Sequence, residues 1–258
     1  MTQRSMFRAA LRGEGPALGT WIKLPTTASM ELIALAGFDF AVIDLEHSPI
    51  DLQTAYDLIG IGLHTGVAPI VRIPALEPSM IQRVLDAGAE GIMVPHVDTP
   101  EQARVAASAV RFPPHGTRGV GATSRAGAWG ALPREEYVRF GQDEAVLIAQ
   151  LESAEAIANA GAIADVAGVT ALLVGAADLS MSEGLDETDP RVRSMTADAV
   201  AQAASRGVAV GGAGGASAEA VRAAVEVGLR FTLMGNDAGL LGAAAREAVR
   251  LGRTVVFA

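Results

Sequence analysis

The chain has no cysteine. Disulfides, thiolate metal sites and a cysteine nucleophile are thereby excluded. Lysine is almost absent as well. Lys23 is the only one, so a Schiff-base mechanism would rest on that single amine. Aromatic residues make up 4% of the 258 positions, which leaves Ala, Val, Leu and Ile to build the core. No apolar run approaches the ~20 residues of a membrane span. The first residues, MTQRSMFRAALRGEGPALG, scatter arginine through a stretch with no apolar segment, so no signal peptide is expected. Basic residues are outnumbered, and the net charge of −9 argues against nucleic acid or an anionic membrane surface as partner. A soluble cytoplasmic protein is expected.

What is present is a rhythm. Eight short apolar runs have strand character: Leu18–Ile22, Phe40–Leu45, Pro69–Ile73, Gly91–Pro95, Val146–Leu151, Ala171–Gly175, Val208–Gly212 and Phe231–Gly235. Segments with helical spacing lie between them: Ser29–Ala36, Asp51–His64, Pro78–Ala87, Pro100–Val110, Ala154–Asp165, Arg191–Ser205, Ser217–Val227 and Ala238–Leu251. Several end at glycine, as in AGFD and EVGL, the C-cap expected before a turn into the next strand. Strand–helix alternation repeated eight times predicts a (β/α)₈ TIM barrel over 1–258 as one domain. An open doubly wound sheet is the alternative. It would carry a glycine fingerprint in the first turn, and that turn reads IKLPTTAS.

One interval breaks the rhythm: 111–144, RFPPHGTRGVGATSRAGAWGALPREEYVRFGQDE. Long loops inside compact domains tend to be functional. Arg111, Arg118, Arg125 and Trp129 suit a contact or active-site segment better than a solvated excursion.

Barrel chemistry gathers at the C-terminal strand ends. Strand two delivers most: in GFDFAVIDLEHSP an apolar run turns abruptly into Asp44, Glu46 and His47 before Pro49. Strand one ends in Lys23, and strand three contains Arg72. Strand four ends in Pro95 and His96, strand five in Gln150 and Glu152. Strand six gives Asp178, and strand eight Asn236 and Asp237. Glu152 and Asp178 leave consecutive strands, and two adjacent carboxylates stay ionised only beside a cation. An oxygen-rich pair suits Mg²⁺ or Mn²⁺; a structural ion pair of one carboxylate with Arg72 is the competing reading. A buried Arg72 needs an anionic partner. That partner is a substrate carboxylate, an oxyanion formed in the reaction, or Asp44. His47 is a candidate general base or simply a loop residue.

Six segments in order, DLEH with its Pro49, VRIP, VLDAGAEGIMVPHVDTPEQA, RFPPHGTRGVG, QLES and GAADLS, resemble the metal-dependent class II pyruvate aldolases of the HpcH/HpaI family. The resemblance spans Gly19 to Asp237. It implies a barrel assembled as a hexamer or trimer, with a divalent cation (Mg²⁺ or Mn²⁺, Co²⁺ as a third candidate) on Glu152 and Asp178. It implies that Gln150, Gly175, Ala177 and Asp178 bind pyruvate, and that Arg72 stabilises the enolate oxygen. His47 would act as base, directly or through water, with its basicity raised by Asp86. The implied reaction cleaves a 4-hydroxy-2-oxoacid to pyruvate and an aldehyde through a metal-stabilised enolate. Asp86 ends a helix, which in a barrel points away from the mouth. The family commonly has Gly-Pro where this chain has Gly175-Ala176. A citrate-lyase-like enzyme acting on an acyl-CoA and a non-enzymatic scaffold are the other readings. The aldehyde partner is expected to meet Lys23–Thr26 and the glycine-rich GGAGGAS.

Overall fold

The structure, a computed structural model, describes residues 5–255. A short helix α1 (Met6–Ala10) precedes β1 (Ala17–Ile22) and α2 (Thr27–Ala36). Next come β2 (Phe40–Asp44), α3 (Leu52–Thr65), β3 (Ala68–Arg72) and α4 (Pro78–Asp86). β4 (Gly91–Val94) and α5 (Pro100–Val110) lead into the long interval. That interval folds on itself as a 3₁₀ segment (Arg125–Gly130), helix α6 (Arg134–Arg139) and a π-helical turn (Phe140–Glu144). β5 (Val146–Leu151) is followed by α7 (Ala154–Ala158), α8 (Ala160–Ala164), β6 (Ala171–Val174) and α9 (Ala176–Ser182). The chain continues through α10 (Pro190–Ala204), β7 (Ala209–Gly214), α11 (Ala218–Val227), β8 (Phe231–Asn236) and α12 (Asp237–Gly252). Every strand pairs in parallel with its neighbour and β8 closes on β1. This is the eightfold barrel predicted from the alternation, and each expected strand falls within two residues of the observed one. Among the described residues no helix is long and apolar enough to cross a membrane.

Local chemistry sets the boundaries. Asp51 caps α3 by accepting from the Thr54 N–H at 2.8 Å, and Thr99 with Gln102 forms a reciprocal capping box on α5. Gly37 and Gly228 end α2 and α11 at φ +88 and +101, values that favour glycine. The expected helix 154–165 breaks at Asn159, whose amide donates to the Asp98 carbonyl at 2.7 Å. GAADLS is no loop: it opens α9 directly after β6. The first residues of GGAGGAS continue β7 to Gly214.

Two apolar layers hold the barrel. Its jacket packs strand residues such as Ile43, Val71 and Leu147 against Leu58, Ile81 and Ala106 of the helices. Its bore is filled by Phe40, Val42, Ile70, Met93, Ile148, Leu173 and Phe231. Small residues make room for the rings. A Cβ on Gly19 would lie 2.3 Å from the Phe40 ring, and one on Gly211 2.2 Å from Phe231. At the N-terminal end Phe7 packs edge-on against Phe40 (centroids 5.0 Å) and Phe231 (5.4 Å). Glu90 anchors this plug. It accepts from the Met6 N–H at 2.8 Å, the Phe7 N–H at 3.1 Å and the Ser5 hydroxyl at 2.9 Å.

Phe7 reaches the core from outside the barrel proper, so its removal isolates the plug. Phe7→Ala should lose about 3–5 kcal/mol in urea denaturation followed by circular dichroism. A loss of only a few tenths would show that α1 is dispensable.

Candidate active site

The site begins with a pairing of strands. Asp44 and Arg72 are the last residues of β2 and β3 and are register partners. Arg72 donates through Nε to Asp44 Oδ1 at 3.0 Å and through Nη2 to Oδ2 at 2.7 Å, a bidentate fork. Both side chains are buried. The guanidinium lies 4.2 Å above the Trp21 ring. Its Nη1 is 3.0 Å from Glu46 Oε2, an ion pair without hydrogen-bond alignment. Asp44 also takes the Glu46 and His47 N–H groups, each at 3.1 Å, which folds the β2–α3 loop around it. The Lys23 ammonium sits 3.3 Å from Asp44 Oδ2, and an amine held in an ion pair is a poor nucleophile. Of the partners open to Arg72 from the sequence, Asp44 is the one it holds within the chain.

Across the mouth, β5 supplies Gln150 and the residue following it supplies Glu152, both buried. Gln150 Nε2 donates to Glu152 Oε1 at 2.7 Å, while its own Oε1 is buried without a hydrogen-bond partner. Burial pushes the Glu152 carboxyl up to about 7; the His96 N–H and ring pull it down, and the charges of Asp178 and Glu46 add to the rise. Asp178 lies in the first turn of α9, near enough to Glu152 for that repulsion. Gly175 permits the approach, since a Cβ there would come 2.9 Å from Glu152 Cγ. Ala176 starts the helix where the resemblance expects proline. Either residue fits the first helical position, so Asp178 keeps its place.

Arg72, His47, Gln150, Glu152, Gly175, Ala177 and Asp178 all follow from C-terminal strand ends. His47 Nε2 is 3.7 Å from Glu46 Oε2, with the side chain 56% exposed. Asp86 is elsewhere: it ends α4 and bonds to Arg118 at 2.8 Å and to the Tyr137 hydroxyl at 3.3 Å. Glu46 and His96 are rim residues to which the sequence alone assigned no role. Glu46 joins Arg72 to both histidines, His96 Nε2 lying 3.4 Å from Glu46 Oε1. Asp237 of β8's end accepts from the Lys23 and Leu24 N–H groups at 2.9 and 3.0 Å and so fixes the β1–α2 loop. Among the described residues no three His, Asp or Glu side chains form a ready metal cage. Two carboxylates beside an unpartnered buried amide oxygen are nevertheless a hard donor set with room for ligand oxygens, which suits a divalent cation.

The Asp44–Arg72 pair makes stability depend on pH. Burial is the largest single influence on Asp44 and would raise its pKa. The Arg72 hydrogen bonds and charge, with the His47 N–H, outweigh it and hold the carboxyl below its usual 3.8. The stabilisation is therefore complete above the unfolded value and is lost as pH falls through the lower folded one. Asp44→Asn should cost about 3–5 kcal/mol at neutral pH by leaving Arg72 uncompensated. In urea melts its deficit against the parent should shrink below pH 3.8; a constant deficit would refute the ion-pair account.

Known proteins share this architecture. Residues 17–243 match the model of the HpcH/HpaI aldolase/citrate lyase family. A hydroxypyruvate/pyruvate aldolase of Chromohalobacter salexigens is 39% identical over 249 residues, covering 95% of this chain and 96% of that one. A 2-dehydro-3,6-dideoxy-6-sulfogluconate aldolase of Pseudomonas putida is 36% identical over 239 residues, 92% of each chain. The crystal structure of an HpcH/HpaI aldolase/citrate lyase family protein from Burkholderia cenocepacia superposes with a TM-score of 0.90 at 35% identity, covering 97% of this chain and 100% of that one. A family match across most of the chain, joined to a barrel whose mouth gathers an arginine, a histidine and two adjacent carboxylates, leads to one assignment: the chain belongs to the HpcH/HpaI aldolase/citrate lyase family and is a carbon–carbon lyase of the aldolase type.

Proposed function

We propose that this aldolase cleaves 4-hydroxy-2-oxoacids to pyruvate and an aldehyde, and catalyses the reverse addition, with Mg²⁺ or Mn²⁺ held by Glu152 and Asp178. The observation that carries this reading is the caged Arg72 set across the mouth from two adjacent carboxylates, one of them with its carboxyl raised to about 7. When bound, the cation polarises the 2-oxo group and offsets the negative charge that develops on its oxygen.

The protein's own groups do the rest. Arg72 has five N–H donors, and Asp44 and Glu46 engage three of its nitrogens. The N–H groups on the terminal nitrogens that Asp44 does not engage are the donors offered to the enolate oxygen, on a guanidinium already held in place. Gln150 and the unpaired N–H groups at the start of α9, Ala177 among them, orient the pyruvate unit beside Gly175. His47 takes the C4 hydroxyl proton in cleavage, directly or through water, and returns it in addition. Its exposed ring can meet a proton at the mouth.

The named relatives act on oxoacids, which favours this substrate class over an acyl-CoA. A homo-oligomer, hexamer or trimer, is part of the reading. It is supported by exposed Leu32 and Leu35 on α2 and Leu241, Val249 and Leu251 on α12, a helix whose one buried residue is Asp237. A role for Asp86 in raising the basicity of His47 calls for a second copy to bring them together, since within one chain Asp86 is bonded to Arg118 and Tyr137. A cytoplasmic location completes the proposal.

Pyruvate release from a panel of 4-hydroxy-2-oxoacids tests it. EDTA should abolish turnover and added Mg²⁺ or Mn²⁺ should restore it. Borohydride with substrate should leave no adduct on Lys23. Arg72→Ala should lower kcat about 10²–10³-fold. Full activity in metal-free protein, or trapping at Lys23, would overturn the mechanism.

A further inference from the structure

One side chain bridges the two halves of the mouth. His96, two residues beyond β4, has φ +53, a left-handed conformation that most residues with a Cβ adopt only under strain. Its ring is 62% exposed, so core packing does not explain the strain. The contacts do. In this conformation the His96 N–H and ring Nδ1 converge on one oxygen, Glu152 Oε2, at 3.0 and 2.9 Å. The other oxygen of Glu152 takes Gln150 Nε2 at 2.7 Å. Two hydrogen bonds, one on each oxygen, restrict rotation of the carboxylate, with the ring beside Oε2 as an ionic contact, and its remaining lone-pair sites are open to a cation. The far side of the ring, Nε2, lies 3.4 Å from Glu46 Oε1, and Glu46 Oε2 is 3.0 Å from Arg72 Nη1. A continuous strut thus runs from Arg72 through Glu46 and His96 to Glu152.

We propose that His96 is a positioning residue for the cation site, orienting Glu152 toward a divalent metal and setting its separation from Arg72. This rests on the metal reading above, because it concerns the same carboxylate. Partners that orient a metal-binding side chain are worth about 10–100-fold in metal affinity.

Glycine is the informative substitution. It keeps the backbone N–H to Glu152, accepts the left-handed φ and deletes only the ring. The measurement is Mn²⁺ binding to metal-stripped protein, with free Mn²⁺ read by electron paramagnetic resonance, alongside thermal melts. The parent should bind Mn²⁺ and Glu152→Gln should abolish binding. His96→Gly should weaken it about 10–100-fold with a melting temperature equal to or above the parent's. His96→Asn, which tolerates this backbone and carries a side-chain donor, should recover part of the affinity. Mn²⁺ affinity of His96→Gly within about twofold of the parent would overturn the positioning role while leaving the metal reading intact. Failure of the parent itself to bind Mn²⁺ would overturn both.

Discussion

The mouth of this barrel depends on a single bidentate ion pair between neighbouring strand ends. Asp44 and Arg72 face each other in register, so closing the sheet brings them together without any help from a loop. The pair neutralises a guanidinium that burial would otherwise make costly, and it fixes the plane of that guanidinium over Trp21. By accepting two further N–H groups, Asp44 also shapes the loop that carries Glu46 and His47. Charge compensation, aim and loop geometry come from one contact.

Around it the polar groups form a circuit rather than a set of isolated residues. Arg72 leads to Glu46, Glu46 to His96, and His96 to Glu152 and Gln150. Its buried members, Asp44, Arg72, Gln150 and Glu152, polarise one another and keep little rotational slack. The circuit carries more acid than base. Its excess appears at Glu152, where burial and neighbouring carboxylates disfavour ionisation, and a cation placed there relieves the same imbalance.

The architecture was legible in the sequence because each strand is an apolar run closed by a turn and the long helices between them carry an apolar stripe. Most candidate site residues stand out in the sequence because an ionisable group at the end of such a run has few structural reasons to be there. The partner of Arg72 was visible as Asp44 among alternatives, and only the register between β2 and β3 selects it. His96 was less accessible. Val94 pairs with Ala149, which brings His96 level with Leu151, one residue from Glu152, but neither that register nor a left-handed histidine can be seen in a string of letters. Helix α1 was hidden for a different reason. Five residues give no periodicity to detect, and its place is set by Glu90, a residue 83 positions from Phe7.

Phe7, Phe40 and Phe231 close the N-terminal end of the bore with three mutually edge-on rings. Above them Val42, Ile70, Met93, Ile148 and Leu173 fill the bore, so the barrel is solid and a small molecule meets the polar groups of the rim from the C-terminal side.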